Sequence, residues 1–287
     1  MRYNARMFIV SAFYKFFPFP EYADWRAKLL EFMERSQVFG TVLLAPEGVN
    51  GTISGSENNI IAIKHLLESI PGCAPLTCKL SEHEAHPFGK AKVKLKKELI
   101  SIGEEASPLQ AVGMHVSPEE WNALISRDDV MVLDARNSYE THVGTFKNAI
   151  DPKTRTFKQL AGFSREHLPE WKNKKIATYC TGGIRCEKFT AWLINQGITD
   201  VYHLDGGILN YLEKIPAEQS LFEGSCYVFD ERTAVDHALD ADEDITYCPS
   251  CGHSLTGEDR RHELYTVDKS CAYCESYAPS NVDYMRA

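Results

Sequence analysis

The chain has 287 residues, with 31 lysines and arginines, 40 aspartates and glutamates, a formal net charge of −9 and nine cysteines. This length predicts about two domains, with three small ones as the alternative. The share of hydrophobic residues, 44%, excludes a disordered or fibrous protein. Because we find neither an uncharged apolar run of roughly 18 residues nor a signal-peptide cleavage site, we expect a cytoplasmic protein with no membrane partner and reduced thiols.

Most of the negative charge lies in one window. Between Glu213 and Asp244 ten acidic residues stand against two basic ones, which gives −8 for this window and leaves −1 for all other residues. Contact with RNA depends on local patches rather than on the charge of the whole chain. The net charge therefore does not exclude a nucleic-acid substrate, and the window is interpreted as a connector.

The first eighty residues alternate between strand and helix patterns. Strands are predicted at 6–14, 38–45, 51–54 and 76–80, helices at 21–36 and 58–70, and a turn at 46–51. The order β-α-β-β-α-β is typical of a ferredoxin-like (acylphosphatase-like) α+β sandwich. Because that fold hosts many functions, it assigns no chemistry.

A lysine strand follows the sandwich. Residues 90–97 read KAKVKLKK, and a period of two places four ammonium groups on one face of a strand. One interpretation is an edge strand that lysine protects from aggregation, and the other is a surface that contacts RNA phosphates. Composition does not decide between them, and the residues concerned are Lys90, Lys92, Lys94 and Lys96.

Helix and strand signals then alternate from about residue 115 to 216, which is typical of an α/β domain with a mainly parallel sheet. Helices are predicted at 118–126, 138–143, 167–171, 185–196 and 207–213, and strands at 129–134, 175–179 and 200–204. The chain as a whole is predicted to be a multidomain α/β protein. Its predicted parts are an N-terminal domain at 1–108, the α/β domain at 109–218, and the acidic connector with a cysteine-rich tail at 219–287.

The densest chemical signal is the segment YCTGGIRCEK, which follows the strand at 175–179. The carboxyl end of a parallel strand is a usual position for a site, the two glycines let backbone N–H groups form an anion-binding nest, and the helix N-terminus adds positive charge. These features lower the pKa of a thiol; the alternative is a buried structural cysteine. The predicted site comprises Cys180 as nucleophile or persulfide carrier, Arg185 for anion stabilisation, and the backbone amides of Thr181, Gly182, Gly183 and Ile184.

This segment resembles the active-site loop of rhodanese domains, with the six-residue C-x4-R form of sulfurtransferases rather than the C-x5-R form of related phosphatases. Further fitting segments are LDAR at 133–136, ETHVGTFKNAI at 140–150 and HLDGGILNYL at 203–212. The resemblance implies a rhodanese domain in which Arg136 and Glu140 form a structural ion pair, while a contact of Asp134 with the site stays open. Cys186 is interpreted as a core neighbour, with a resolving thiol as the alternative, and Lys188 as a solvated helix residue.

The resemblance extends over essentially the whole chain. APEGVNGTISG at 45–55, YCTGGIRCEK and CYVFDER at 226–232, together with paired cysteines in the tail, resemble the rhodanese-domain tRNA uridine hydroxylases. The resemblance implies oxygen-dependent conversion of the wobble uridine to 5-hydroxyuridine, with Cys180 essential. It also implies molecular oxygen as co-substrate, an electron donor that stays unidentified, and a tRNA anticodon loop as partner.

The sequence leaves other activities open. A thiolate that adds to C6 of uridine would make C5 reactive toward an oxygen species, but no flavin, haem or two-histidine-one-carboxylate iron signature is visible to account for oxygen activation. One rival is a thiosulfate or persulfide sulfurtransferase that carries sulfane sulfur on Cys180. Another is an RNA-binding protein without activity, and a phosphatase fits the loop length less well. The oligomeric state stays open.

Two C-x2-C knuckles lie in the tail, separated by nineteen residues. Four thiolates at this spacing can close a tetrahedral structural zinc site, and the alternatives are reduced thiols or redox pairs. His253 and His262 lie nearby and are interpreted as surface residues. The predicted metal ligands are Cys248, Cys251, Cys271 and Cys274.

Overall fold

The structure is a computed structural model that describes residues 7–276, so residues 1–6 and 277–287 of the predicted domains lie outside the described residues. The chain divides into two compact units, one of residues 1–101 and 108–110 and the other of residues 102–107 and 111–287. The tail is therefore grouped with the α/β domain rather than forming a third compact unit. Within 7–276, no helix is long and apolar enough to cross a membrane.

The first unit contains the predicted β-α-β-β-α-β order followed by one more strand. Its sheet has the strand order β4-β1-β3-β2-β5, in which β5 lies at the edge and runs parallel to β2. The elements are β1 (Phe8–Phe16), α1 (Trp25–Arg35), β2 (Phe39–Ala45), β3 (Gly48–Gly55), α2 (Glu57–Glu68), β4 (Cys78–His83) and β5 (Ala91–Leu95).

The apolar faces of α1 and α2 pack on one face of this sheet. Leu29 and Met33 of α1 and Ile63 of α2 are buried against strand residues such as Val42 and Ile53. Sheet burial of this kind removes the apolar side chains from water, which is the main favourable contribution to folding. The lysine strand belongs to this unit because β5 pairs with β2.

The predicted turn at 46–51 is present but shorter, because β2 ends at Ala45 and β3 begins at Gly48. Only Pro46 and Glu47 connect them. A Cβ added at Gly51 would lie 2.7 Å from the ring of Phe13. This glycine therefore allows close packing inside a strand, although its residue type suggested a turn.

The second unit is built on a parallel sheet with the strand order β6-β10-β9-β7. Its elements are β6 (Met114–Val116), α3 (Pro118–Ile125), β7 (Val130–Asp134), α4 (Ser138–Thr141), β8 (Gly144–Phe146), α5 (Phe157–Trp171), β9 (Lys175–Tyr179), α6 (Ile184–Asn195), β10 (Val201–Leu204) and α7 (Gly207–Lys214). The helix predicted at 167–171 is only the end of α5. A capping box formed by Thr156 and Gln159 starts this helix ten residues earlier than predicted.

The acidic window is a packed part of the second unit rather than a connector. Its strand β11 (Phe222–Gly224) pairs with β8, and β12 (Cys226–Tyr227) pairs with β13 (Ala234–Val235). The side chains of Cys226, Val228 and Val235 are buried in the same core as Tyr179 of β9. Strands β14 (Thr246–Tyr247) and β15 (Ser254–Leu255) follow as a small hairpin. The acidic window therefore has charged side chains on its surface, while its buried apolar side chains pack it against the core of the second unit.

Candidate active site

The cysteine loop, residues Cys180–Arg185, connects the end of β9 to the start of α6. The N-terminus of α7 packs against this loop through two hydrogen bonds. The N–H of Ile208 donates to the carbonyl of Cys180 at 2.9 Å, and the N–H of Leu209 donates to the carbonyl of Thr181 at 3.1 Å. Gly207 must be glycine here, because a Cβ would lie 2.4 Å from the Cys180 carbonyl oxygen and φ is +67°. The support fixes the loop so that its backbone N–H groups are directed toward the sulfur.

The sulfur of Cys180 is buried, with 1% of the residue exposed. The N–H of Gly183 donates to Sγ at 3.1 Å. Burial acts to raise the pKa of Cys180, but the hydrogen bond from the Cys186 thiol, the charge of Arg185 and the backbone N–H groups of Cys186 and Gly183 outweigh it and lower the pKa to about 6. The group is therefore a thiolate at neutral pH, which is the reactive form of cysteine.

Other buried cysteines of the chain have the opposite shift. Burial raises the pKa of Cys226 to about 12 and that of Cys73 to about 11. The pKa of Cys186 also lies well above its ordinary value, because of burial and of the neighbouring Cys180 sulfur. These three cysteines are also buried near a cationic side chain, so the hydrogen bonds that the sulfur receives from the Cys186 thiol and from the N–H groups of Gly183 and Cys186 distinguish Cys180.

Arg185 makes a buried bidentate ion pair with Glu140 of α4. Its two terminal nitrogens lie 2.5 and 2.6 Å from the carboxylate oxygens. The predicted ion pair of Arg136 with Glu140 is wrong, because the Arg136 side chain pairs with Asp134 at 2.7 Å and reaches only the backbone carbonyl of Glu140. Asp134 is therefore the ion-pair partner of Arg136, and Glu140 is the ion-pair partner of Arg185, the cationic residue beside Cys180.

The remaining residues of the cysteine loop contribute unequally. Thr181 donates to Glu140 at 3.2 Å through its hydroxyl, which adds a second link between loop and α4. A Cβ at Gly182 would meet nothing within 4 Å, so this side of the loop is open. Gly183 and Cys186 supply hydrogen bonds to the sulfur. The roles assigned to the amides of Thr181, Gly182 and Ile184 stay predictions.

Lys188 and His253 are both buried, although from the sequence both are interpreted as solvent-exposed. Lys188 of α6 is 2% exposed and not solvated, because α6 is covered on nearly all sides. His253 is buried, 3% exposed, and stacks on Tyr273 with ring centroids 4.0 Å apart, so its interpretation as a surface residue is wrong. His262 is exposed, as expected.

Sequence reasoning missed the segment that borders the cysteine loop. The backbone carbonyl of Tyr227 accepts a hydrogen bond from Thr181 at 3.4 Å. The ring of Phe229 is 49% exposed and lies 5.7 Å from the guanidinium carbon of Arg185. The motif CYVFDER at 226–232 contributes to the family resemblance, but only the fold shows that it lies beside Cys180. An exposed aromatic ring next to the site is a surface on which a planar base can stack.

The tail cluster consists of Cys248, Cys251, Cys271 and Cys274, and its sulfur atoms converge. The Sγ–Sγ distances are 3.6 Å for Cys248–Cys274, 3.6 Å for Cys251–Cys271 and 3.9 Å for Cys271–Cys274. A tetrahedral ion with metal–sulfur bonds of about 2.3 Å has sulfur–sulfur edges of about 3.8 Å. These three distances match such edges, and all four sulfurs lie within 4.8 Å of one another, so the four thiols are placed to bind one metal ion.

The tail also packs on α4. The hydroxyl of Ser254 donates to the backbone carbonyl of Tyr139, and His142 contacts the carboxylate of Asp259 at 2.7 Å. Tyr139 and His142 flank Glu140, the residue that holds Arg185. The tail and the cysteine loop are thus connected through one short helix.

The lysine strand lies at the sheet edge of the first unit. Val93 is buried, and its carbonyl accepts a hydrogen bond from Arg26 of α1 at 3.2 Å, so Lys92 and Lys94 occupy the opposite face of β5. Partial burial and the charges of Lys94 and Lys90 lower the pKa of Lys92. Several ammonium groups are thus concentrated at one edge.

Two family models match the chain. The UPF0176 acylphosphatase like domain matches residues 8–99, and the rhodanese-like domain matches residues 117–214. These matches confirm the predicted fold class, an acylphosphatase-like domain followed by a rhodanese domain with a parallel sheet. The fold and the cysteine loop define the chain as a rhodanese-type protein with an added acylphosphatase-like unit.

Three curated relatives, each named tRNA uridine(34) hydroxylase, are similar over 93% of the chain. The protein of Picosynechococcus sp. is 45% identical over 90% of its own length, that of Sinorhizobium medicae 48% over 85%, and that of Acinetobacter baylyi 45% over 84%. The chain therefore belongs to the family of tRNA uridine(34) hydroxylases.

Proposed function

We propose that the chain is a cytoplasmic tRNA-modifying enzyme that hydroxylates uridine 34 to 5-hydroxyuridine, with Cys180 as its nucleophile. The observation that carries this proposal is the buried Cys180 sulfur, which accepts the N–H of Gly183 at 3.1 Å in the cysteine loop of a chain of this family. The reaction consumes one O2, two electrons from an external donor and two protons, and it yields 5-hydroxyuridine and water.

The chemistry begins when the Cys180 thiolate adds to C6 of the uracil ring. The new S–C6 bond moves the C5–C6 π electrons toward the C4 carbonyl, which makes C5 nucleophilic. C5 then attacks one oxygen of O2 that the external donor has reduced by two electrons to the peroxide level: the C5–O bond forms, the O–O bond breaks, and the second oxygen leaves as water. Loss of the C5 proton and departure of the thiolate then restore the ring. The N–H groups of Gly183 and Cys186, which already donate to the sulfur, and the nearby charge of Arg185 stabilise the sulfur anion before addition and after departure.

The target base must leave its stack to reach a buried sulfur. Uridine 34 lies in the anticodon loop, where splaying a base out costs less than in a duplex. Phe229 lies beside Arg185 with half of its surface exposed, and we assign it the role of stacking on the base or on its neighbour. We expect this stacking contact to contribute about 1–3 kcal/mol to the free energy of tRNA binding.

The lysine strand is assigned to contacts with tRNA phosphates. Lys90, Lys92, Lys94 and Lys96 supply concentrated positive charge on a chain that is acidic overall. Lysine at a sheet edge also protects that edge from pairing with other chains, and the two roles are compatible. Electrostatic contacts of this kind provide affinity without sequence specificity.

The tail cluster is assigned to a structural zinc ion. Four thiolates and no open position make a closed site, so we give it no catalytic step. We assign its stabilising effect to the tail segment itself, which packs on α4 through Ser254.

The second candidate is sulfur transfer by a Cys180 persulfide, which the six-residue loop length favours. The two are separated by producing the chain in a bacterial strain that lacks 5-hydroxyuridine at position 34 and growing the cells under 18O2. We expect nucleoside mass spectrometry to find 5-hydroxyuridine with one 18O. Absence of the nucleoside, together with rapid transfer of sulfur from thiosulfate to cyanide by the purified chain, would favour the second candidate.

A further inference from the structure

A second group of metal-binding side chains lies on the α6 side of the parallel sheet. His115 of β6 and His203 of β10 stand opposite each other in register, with ring centroids 4.1 Å apart. Glu187 of α6 contacts Nε2 of His115 through Oε1 at 3.0 Å. One ligand atom from each of the three residues lies within 4.8 Å of the other two. We call these residues the histidine–carboxylate cluster.

The burial of the His203 ring is not explained by hydrogen bonds to the surrounding protein. The residue is completely buried, and neither ring nitrogen has a hydrogen-bond partner among residues 7–276. The backbone of Gly113 is close enough to act on the ring but does not meet hydrogen-bond geometry. Burying a polar group without a partner costs free energy, and most buried polar groups in folded proteins are satisfied. The orphaned nitrogens therefore indicate a ligand.

We propose that His115, Glu187 and His203 bind one divalent transition-metal ion. Two imidazoles and one carboxylate suit Zn²⁺, Fe²⁺ and related first-row ions. Metal–ligand bonds of about 2.0–2.2 Å place neighbouring ligand atoms about 3–3.5 Å apart. The 3.0 Å separation of His115 and Glu187 already has this value. The ligand atom of His203 lies within 4.8 Å of the other two, so a ring shift of at most about 1–2 Å brings it in.

The histidine–carboxylate cluster differs from the tail cluster in the number of coordination positions that it leaves free on a bound metal ion. Three protein ligands leave at least one coordination position for water or a small ligand, whereas four cysteines leave none. The side chain of His115 is 45% exposed, which gives an entry path from solvent. Asp205 is exposed nearby and acts electrostatically on both imidazoles, and its negative charge favours a bound cation.

The position of the cluster connects it with the cysteine loop. Glu187 directly follows Cys186, whose thiol donates to Cys180, so both groups depend on the first turns of α6. Residues 115, 187 and 203 are far apart in sequence, which is why a sequence search for an iron or zinc signature does not find them. Metal binding here does not depend on which substrate the enzyme takes.

The test is the cobalt stoichiometry of the full chain, stripped of metal and reloaded with Co²⁺. We expect two equivalents in the wild type and one in His203→Gln and Glu187→Gln. In those variants the strong thiolate-to-cobalt absorption of the tail cluster should persist. The matched control is His65→Gln, which replaces an exposed histidine of α2 and should keep two equivalents. Two equivalents in His203→Gln, with a spectrum like that of the wild type, would overturn the proposal.

A second variant guards against misfolding of the first. The chain with Cys248→Ser and Cys251→Ser should lose the thiolate-to-cobalt absorption and still bind one equivalent with the weak absorption of nitrogen and oxygen ligands. A tail variant that is folded by circular dichroism but binds no cobalt would contradict the proposed site, whatever the behaviour of His203→Gln.

Discussion

The cysteine loop and the tail cluster use the same side chain in opposite ways. In the loop, one sulfur receives hydrogen bonds from Gly183 and Cys186 and lies near Arg185, so that its pKa falls to about 6 without any ion. In the tail, the four sulfurs all lie within 4.8 Å of one another, and three of the pairs are 3.6 to 3.9 Å apart. Ionised thiols this close repel one another, and only an external cation can offset that repulsion.

The difference shows that the source of positive charge determines what a buried cysteine does. A thiolate stabilised by backbone dipoles and a fixed guanidinium keeps its lone pairs available for a substrate. A thiolate that binds a metal in a closed site has them occupied. Arg136 and Arg185 lie near Cys226 and act to lower its pKa, but burial outweighs their charges and raises the pKa to about 12. Variants that change one source of charge at a time test whether the two regions are separate.

Loss of the metal ion of the tail cluster should produce the largest effect, and that effect should be confined to the tail. Structural zinc in small domains contributes about 10–16 kcal/mol of apparent binding free energy, so a strong chelator should unfold the segment that contains the tail cluster. We expect limited proteolysis to cut between Thr246 and Cys274, while the thiolate absorbance of Cys180 still titrates near pH 6. A rise in the pKa of Cys180 on chelation would show that the loop depends on the tail through α4.

Breaking the buried pair should be the next largest effect, and it should affect the loop. Glu140→Gln leaves Arg185 charged and unpaired, and such changes cost about 3–5 kcal/mol of folding stability. Chemical denaturation measures this loss. The double variant Glu140→Gln with Arg185→Gln removes both charges and should recover part of the stability while raising the pKa of Cys180. A single variant as stable as wild type would exclude the ion pair as the support of the loop.

The hydrogen bond from Cys186 should have a smaller and more specific effect. Because the folded-state pKa of Cys180 lies below the ordinary value, its thiolate and the activity should be present above about pH 6 and lost as the pH falls through that value. Cys186→Ala should move this midpoint upward, and Cys186→Ser, which keeps a donor, should largely preserve it. The difference in ultraviolet absorbance between each variant and its Cys180→Ser counterpart measures the midpoint.

The matched control for Cys186 is Cys226→Ala, which removes an equally buried thiol. Since Cys226 is not among the groups that shift the pKa of Cys180, this variant should leave the midpoint unchanged. Equal shifts in Cys186→Ala and Cys226→Ala would indicate a general loosening of the core instead of the loss of one hydrogen bond.

Changing the lysine strand should have the smallest effect on either cysteine region. Lys92→Ser with Lys94→Ser should weaken tRNA binding and reduce the salt dependence of log K by roughly 0.7–0.9 for each phosphate that a lysine no longer neutralises. The pKa of Cys180 should stay near 6. Lys28→Ser with Lys64→Ser, on the helices α1 and α2, is the control of equal charge. Identical salt slopes in the two double variants would remove the lysine strand from the RNA contact surface.

The sequence allowed prediction of those parts of the molecule whose residues are neighbours in the chain. The order of elements in the first unit followed from period-two and helical patterns, and the cysteine loop followed from six consecutive residues. The strand β3 was cut short because Gly48 and Gly51 have the composition of a turn, although Gly51 is required by the ring of Phe13. Local residue type cannot distinguish a glycine that bends the chain from one that lets a neighbour approach.

Contacts between distant residues could not be predicted in the same way. Arg136 and Glu140 have a spacing that suits a pair, but the fold gives Asp134 to Arg136 and Glu140 to Arg185. The acidic window has a high charge density, and its apolar anchors at Cys226, Val228 and Val235 became visible only in the packed core. The histidine–carboxylate cluster likewise requires β6, β10 and α6 to be brought together.

The most direct test of the central claim compares two cysteine variants in cells. In a bacterial strain without 5-hydroxyuridine at position 34, the chain, its Cys180→Ser variant and its Cys226→Ser variant are produced at equal levels, and the tRNA nucleosides are measured by mass spectrometry. We expect 5-hydroxyuridine from the wild type and from Cys226→Ser, and none from Cys180→Ser. Full 5-hydroxyuridine formation by Cys180→Ser would contradict the assignment of the thiolate as the reactive group.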